Sequence, residues 1–269
     1  AASGLVVIYR GTRVFNLAQG AIAMFGAYLF SGFVDGGIPL WPAFVLATVL
    51  CGLVGVVIER ALMRPLGRSG PGAQVVATLG VFITLQAAVI FVYGNEPRAS
   101  PNLASQGTIE VPGNFNISYS QLVVLLLALV MFALLYLLYK RTNLGLQMQA
   151  VAGSPEAAAL QGVDVGRISM VSWAIGCMCA GVTGIMLAPL LILDTVGLPL
   201  IVIQSFAAAL IGGLVSFPLT LVGALVLGLA ESTSTAFVQT QGTKQLIAFV
   251  LIVIALTIRK NPLHEAVSI

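Results

Sequence analysis

Long, uninterrupted apolar runs dominate this chain, cut at intervals by charges and by clusters of Gly, Pro and Asn. Runs such as 122–138 and 245–258 are continuously apolar. A membrane barrel would instead alternate apolar and polar residues at period two. Helices satisfy their own backbone hydrogen bonds, so the runs read as membrane-spanning helices of about 20 residues each. Cutting at the polar clusters predicts spans near 14–33, 39–58, 72–93, 119–139 and 168–193. The uncharged stretch 195–230 is too long for one crossing and is divided at Ser216-Phe217-Pro218. It predicts a short or half-crossing segment at 199–215 and a full one at 217–238. The last run, 245–258, would cover about 21 Å as a helix. It reaches both interfaces if Lys244 and Arg259 snorkel. Residues 1–9 are apolar but too short to span, and read as the tail of a helix whose start is missing. The expected fold is all-α: one polytopic transmembrane bundle over 1–269, with about eight helices including the truncated first.

Composition agrees. Hydrophobic residues make up 59% of the chain and charged residues 8%, with a mean hydropathy of +1.05. A soluble domain carries about a quarter charged residues. The net charge of +3 is small and gives no reason to invoke nucleic acid. What matters is where the charges fall. Segment 59–68 holds Glu59, Arg60, Arg64 and Arg68; segment 140–167 holds Lys140, Arg141 and Arg167 against Glu156 and Asp164; Arg259-Lys260 follows the last run. The positive-inside rule puts these on the cytoplasmic side, together with Arg10 and Arg13. The 34–38 loop, with Asp35, and the 94–118 loop, with Glu96, Arg98 and Glu110, fall outside. The latter is rich in Asn, Pro, Ser and Gly and reads either as an ordered cap or as a mobile loop.

Enzyme signatures are missing. None of Lys140, Lys244 and Lys260 follows a Gly, so there is no phosphate-binding P-loop. No G-x-S-x-G occurs, and the lone His264 sits in the C-terminal tail. Cys51, Cys177 and Cys179 lie in apolar runs and read as small packing residues. No grouping has metal-ligand spacing, and no cofactor is expected. These negatives favour a channel or transporter.

Four polar features stand out. Asn16 and Gln19, three apart, would share a helix face, with Gly20 and Gly26 allowing a break or a close approach. They read either as lining a pathway or as interhelical packing. Gln204 with Gly212-Gly213 repeats that pattern in the short 199–215 segment. Glu231, followed by Ser232-Thr233-Ser234-Thr235, places a carboxylate in a span, which is costly and a functional candidate. The alternative puts it at the interface or capping a neighbouring helix. Finally, Ser154, Pro155 and Glu156 read as N-cap, N1 and N2 of a short cytoplasmic helix ended by Gly162. Its small residues Ala157, Ala158 and Ala159 would let another protein approach closely, unless it is a connector with no partner.

Glu156-Ala157-Ala158-x3-Gly162 resembles the EAA-x3-G coupling loop of ABC importer permeases, without that motif's later Ile-x-Leu-Pro. Several stretches resemble the LivH-type permeases of branched-chain amino acid importers. They are Tyr9-Arg10 and Thr12-Arg13-Val14 into Asn16-Leu17-Ala18-Gln19-Gly20; Gly26-Ala27-Tyr28; Glu59-Arg60 with Arg64-Pro65-Leu66; and Ala77-Thr78-Leu79-Gly80 with Leu85-Gln86. Leu160-Gln161-Gly162-Val163-Asp164 with Arg167, Phe206-Ala207-Ala208-Ala209, and Gly228-Leu229-Ala230-Glu231 continue the likeness over essentially the whole chain. Gln19 departs from it, because many members carry His there, and so does Leu17, where Phe is usual.

The resemblance implies a permease subunit of the bacterial inner membrane that carries aliphatic amino acids and is not itself an enzyme. Its implied partners are a second homologous permease, two cytoplasmic ABC ATPases and a periplasmic or lipid-anchored binding protein. It would place ATPase coupling at Ser154, Pro155, Glu156, Ala157, Ala158 and Gly162, within a loop at about 140–167. The translocation pathway would run by Asn16, Gln19, Gly20, Gln86, Gln204 and Glu231. A related permease for urea or short amides, or a facilitator working without ATPases, are the alternatives.

Overall fold

A computed structural model of the chain describes residues 1–103, 107–111, 115–214, 216–237 and 242–258. The described residues form an all-α membrane bundle. Five helices are long and apolar enough to cross a bilayer: α3 (Leu40–Ile58), α4 (Pro71–Tyr93), α5 (Tyr119–Arg141), α8 (Val165–Leu191) and α10 (Phe217–Phe237). Shorter apolar helices complete the bundle: α1 (Ala2–Thr12), α2 (Gln19–Asp35), α9 (Ile201–Ile211, after a 3-10 turn at Leu198–Leu200) and α11 (Thr243–Ile258). Two helices, α6 (Asn143–Gly153) and α7 (Pro155–Leu160), lie between α5 and α8. Part of the 94–118 loop is ordered as a hairpin, β1 (Thr108–Val111) antiparallel to β2 (Phe115–Ser118), which favours the ordered-cap reading.

The expected 14–33 span needs correction. α1 continues to Thr12, residues 13–18 are not helical, and α2 begins at Gln19. Arg13 turns left-handed (φ 56°), and its N–H closes α1 on the Tyr9 carbonyl. The 199–215 segment is short, as its length implied. Its helical part, Leu198–Ile211, covers about 21 Å.

α8 is the axis of the bundle. Half of its apolar window is buried, against 11% for α4 and α5, whose Val76, Phe91, Leu126 and Leu134 face outward. Small residues let neighbouring backbones touch it, the usual mode of helix packing in lipid. A Cβ at Gly184 would collide with the Ala23 carbonyl of α2. One at Gly26 would lie 2.8 Å from Gly181, and one at Gly55 of α3 2.5 Å from the Trp173 carbonyl. Cys51, Cys177 and Cys179 are buried in these contacts as free thiols. α9 and α10 run antiparallel, with Gly223 close to the Ala208 carbonyl, and α11 packs on both through Ala207, Leu227 and Ala248.

Candidate functional site

The segment between α5 and α8 is built from local signals. Thr142 caps α6 by accepting from the Gly145 N–H at 3.1 Å. Gly145 lies against the backbone of Leu138 and Tyr139, so α6 folds back closely on α5. At Ser154 the backbone turns extended (φ −144°, ψ 110°), and its hydroxyl accepts from the Ala157 N–H at 3.2 Å. Pro155 occupies the first helical position, where no N–H is needed, and Glu156 follows in the first turn. The end is a Schellman closure. Gly162 N–H donates to the Ala159 carbonyl and Val163 N–H to that of Ala158, both at 3.0 Å. Gly162 holds φ +85°, which an L side chain rarely adopts. Asp164 then caps α8, accepting from the Arg167 N–H at 3.0 Å.

The short helix presents a different face from the one its alanines imply. Ala158 is buried, in a cluster with Val7, Met148, Val151 and Ile168, because it sits on the side of α7 turned toward α1, α6 and α8. Glu156, Ala157, Ala159 and Leu160 are exposed, Leu160 at 90%.

Arginines from two other elements reach the flanks of α7. Arg13 Nη2 donates to the Ala152 and Gly153 carbonyls, both at 2.7 Å, at the end of α6. Arg64 Nη2 donates to the Gly166 carbonyl of α8 at 3.1 Å. Arg64 is also paired, at 3.4 Å, with Glu59, whose side chain is only 2% exposed. Glu59 opens a π turn, Glu59–Met63, that ends α3 and closes through Arg64 N–H on the Glu59 carbonyl. A cavity of about 250 Å³ lies among Arg13, Glu59, Arg64, Gln74, Pro155 and Gly166.

Within the membrane the polar candidates fall into three places. Asn16, in the non-helical link, donates through Nδ2 to Gln19 Oε1 at 3.0 Å, so the two amides meet through a turn and not along one helix face. Asn16 Oδ1 accepts from the Ala18 N–H, and Gln19 Nε2 donates to the Gly176 carbonyl of α8 at 3.2 Å. Both are 1% exposed. Gly20 abuts the Pro199 carbonyl, where any Cβ would collide, so the α1–α2 break meets the entry to α9. Gln86 is elsewhere, donating to the Thr195 carbonyl at 2.7 Å in the turn after α8. Gln204 of α9 and Glu231 of α10, 27 positions apart, come together, with Lys244 of α11 near enough to attract the carboxylate. Among the described residues no group of three or more His, Cys, Asp or Glu is placed to hold a metal.

The roles of Arg13, Arg64 and Glu59 at α7 were not legible in the sequence. Their signals were charge at span ends and a place in the family-like stretches, and neither says which backbone they grip. Arg259, Lys260 and His264 lie outside the described residues.

Glycine-packed spans, a break between α1 and α2, and five helices long and apolar enough to cross a bilayer define a multi-pass membrane protein, with a capped helix pair between α5 and α8. The family model for "Branched-chain amino acid transport system / permease component" matches residues 1–256, and the chain belongs to that family. It is 27% identical to the high-affinity branched-chain amino acid transport system permease protein LivH of Escherichia coli, covering 96% of this chain and 87% of the relative. It is 28% identical to the corresponding permease BraD of Pseudomonas aeruginosa, covering 96% and 88%. It is 29% identical to a probable LivH of Methanocaldococcus jannaschii, covering 88% and 76%. No solved structure matches.

Proposed function

We propose that this chain is the membrane-spanning subunit of an ATP-driven importer of branched-chain amino acids in the bacterial inner membrane. A second homologous permease completes the membrane portion, two cytoplasmic ABC ATPases supply the energy, and a periplasmic or lipid-anchored protein delivers the solute. The observation that carries this reading is α7. A six-residue helix closed at both ends by its own sequence, with Leu160 projecting into solvent, is a rigid peg suited to a groove on another protein. A facilitator without ATPases has no use for it. The family membership and the relatives' names support the solute.

Gln204 and Glu231 are the polar groups best placed to meet a zwitterion crossing an otherwise apolar route. Asn16 and Gln19, fully engaged inside the fold, hold the α1–α2 break, and Gly20 keeps it close to α9. The test is co-purification and uptake. Wild-type complexes in proteoliposomes, supplied with binding protein, should accumulate leucine when ATP is present, and Glu156→Lys should reduce ATPase association. An unchanged association in that variant refutes the docking role. ATP-driven uptake of urea but not leucine would move the solute to the amide class.

A further inference from the structure

The chain path around α7 poses a mechanical problem. α7 is covalently continuous, through α6 and α8, with only two of the long spans, α5 and α8. The α1–α2 pair and the α3–α4 pair are joined to it only by the long way round, through the 94–118 loop and α5. Apolar packing connects α1 to α6 and α7, through Val7, Met148 and Ala158, but apolar faces slide. Charged hydrogen bonds are directional and fix a register.

Among the described residues two such sets of bonds reach the flanks of α7, one on each side. On the N-terminal flank Arg13 grips the last carbonyls of α6, which have no helical partner. On the C-terminal flank Arg64 grips Gly166 and is held in turn by the buried Glu59. Each arginine sits at a point where regular helix is interrupted: Arg13 opens the non-helical link 13–18, and Arg64 closes the π turn. Such interruptions often mark hinges and functional sites. Beyond them lie α2, with its glycine contacts to α8, and α4, which shares with α5 the lowest burial of the long spans.

We propose that Arg13 and Arg64 are positioning residues that carry a displacement of α7 into the membrane helices, Arg13 into the α1–α2 break and Arg64, steadied by Glu59, into the turn between α3 and α4. This rests on reading α7 as the ATPase-docking helix. Neither arginine bonds to α7 itself, so both can be changed while its exposed residues Glu156, Ala157, Ala159 and Leu160 stay in place.

The test uses the assembled complex in proteoliposomes, with ATP hydrolysis and solute accumulation measured together. Arg13→Ala and Arg64→Ala should still co-purify with the ATPase. Solute accumulated per ATP hydrolysed should fall roughly tenfold, the scale of losing a charged hydrogen bond. The double variant should fall further, and the Arg→Lys variants should lie between. Glu59→Gln should weaken the Arg64 arm alone. If the alanine variants do not assemble, the lysine variants carry the test: an intermediate ratio supports the proposal. A wild-type ratio in the double variant, or in assembled lysine variants, overturns it, even if yield drops, because the arginines would then serve packing only. Failure of the wild-type chain to associate with any ATPase would instead sink the functional reading on which this rests.

Discussion

Leu160 ends α7 with 90% of its surface exposed. An apolar side chain this bare contributes almost nothing to its own fold. Leu160→Ala should therefore leave the permease's thermal midpoint in detergent nearly unchanged, within about 0.5 kcal/mol. If the side chain enters an apolar groove on the ATPase, the same change removes three buried carbons at about 0.8 kcal/mol each, or about 2 kcal/mol. That converts to roughly 30-fold weaker association. The assay is titration of purified ATPase onto nanodisc-embedded permease, with ATP-dependent leucine uptake as the functional readout. The wild-type and variant curves should separate by that factor while the unfolding curves superimpose. Ala158→Leu provides the opposite signature. It overpacks a buried position, so stability should drop by about 1–3 kcal/mol before any interface is considered. Equal affinity for wild type and Leu160→Ala would show that α7 does not dock through this residue.

Gln19→Ala strands the buried Asn16 Nδ2 and removes the added bond to the Gly176 carbonyl of α8. It should cost about 1–3 kcal/mol of stability, read as a lower detergent midpoint, with transport per assembled complex near normal. Collapse of transport with an unchanged midpoint would instead assign these amides to the solute route. Gly184→Val drives a side chain into the Ala23 backbone and should abolish recovery of folded protein, whereas the same change at Gly80, which has open space around it, should be tolerated. Ser154→Ala removes the cap of α7 and should cost about 1 kcal/mol, seen as faster hydrogen exchange confined to 155–162. Exchange rates equal to wild type there would show the cap to be unimportant.

Much of this protein was legible in one dimension because lipid imposes a one-dimensional rule. A residue facing hydrocarbon must be apolar whatever its neighbours are, so spans, loops and the charge bias can be read without knowing any contact. The same holds for α7: Ser154, Pro155 and Gly162 act on backbone groups within a few residues of themselves, and the sequence order contains everything needed. The tertiary structure decided what depends on residues far apart in the chain. It broke the expected 14–33 span, because an amide pair and a left-handed Arg13 satisfy the backbone of the link. It turned Ala158 inward, since the face of a short helix is chosen by what packs beneath it. It also brought Gln204 near Glu231, and joined Arg13 and Arg64 to the flanks of α7, across separations of 27, about 140 and 102 positions. Local propensity does not reach that far; the packing of whole helices, close at the glycines of α8 and at Gly212 and Gly223 between α9 and α10, brings those groups together.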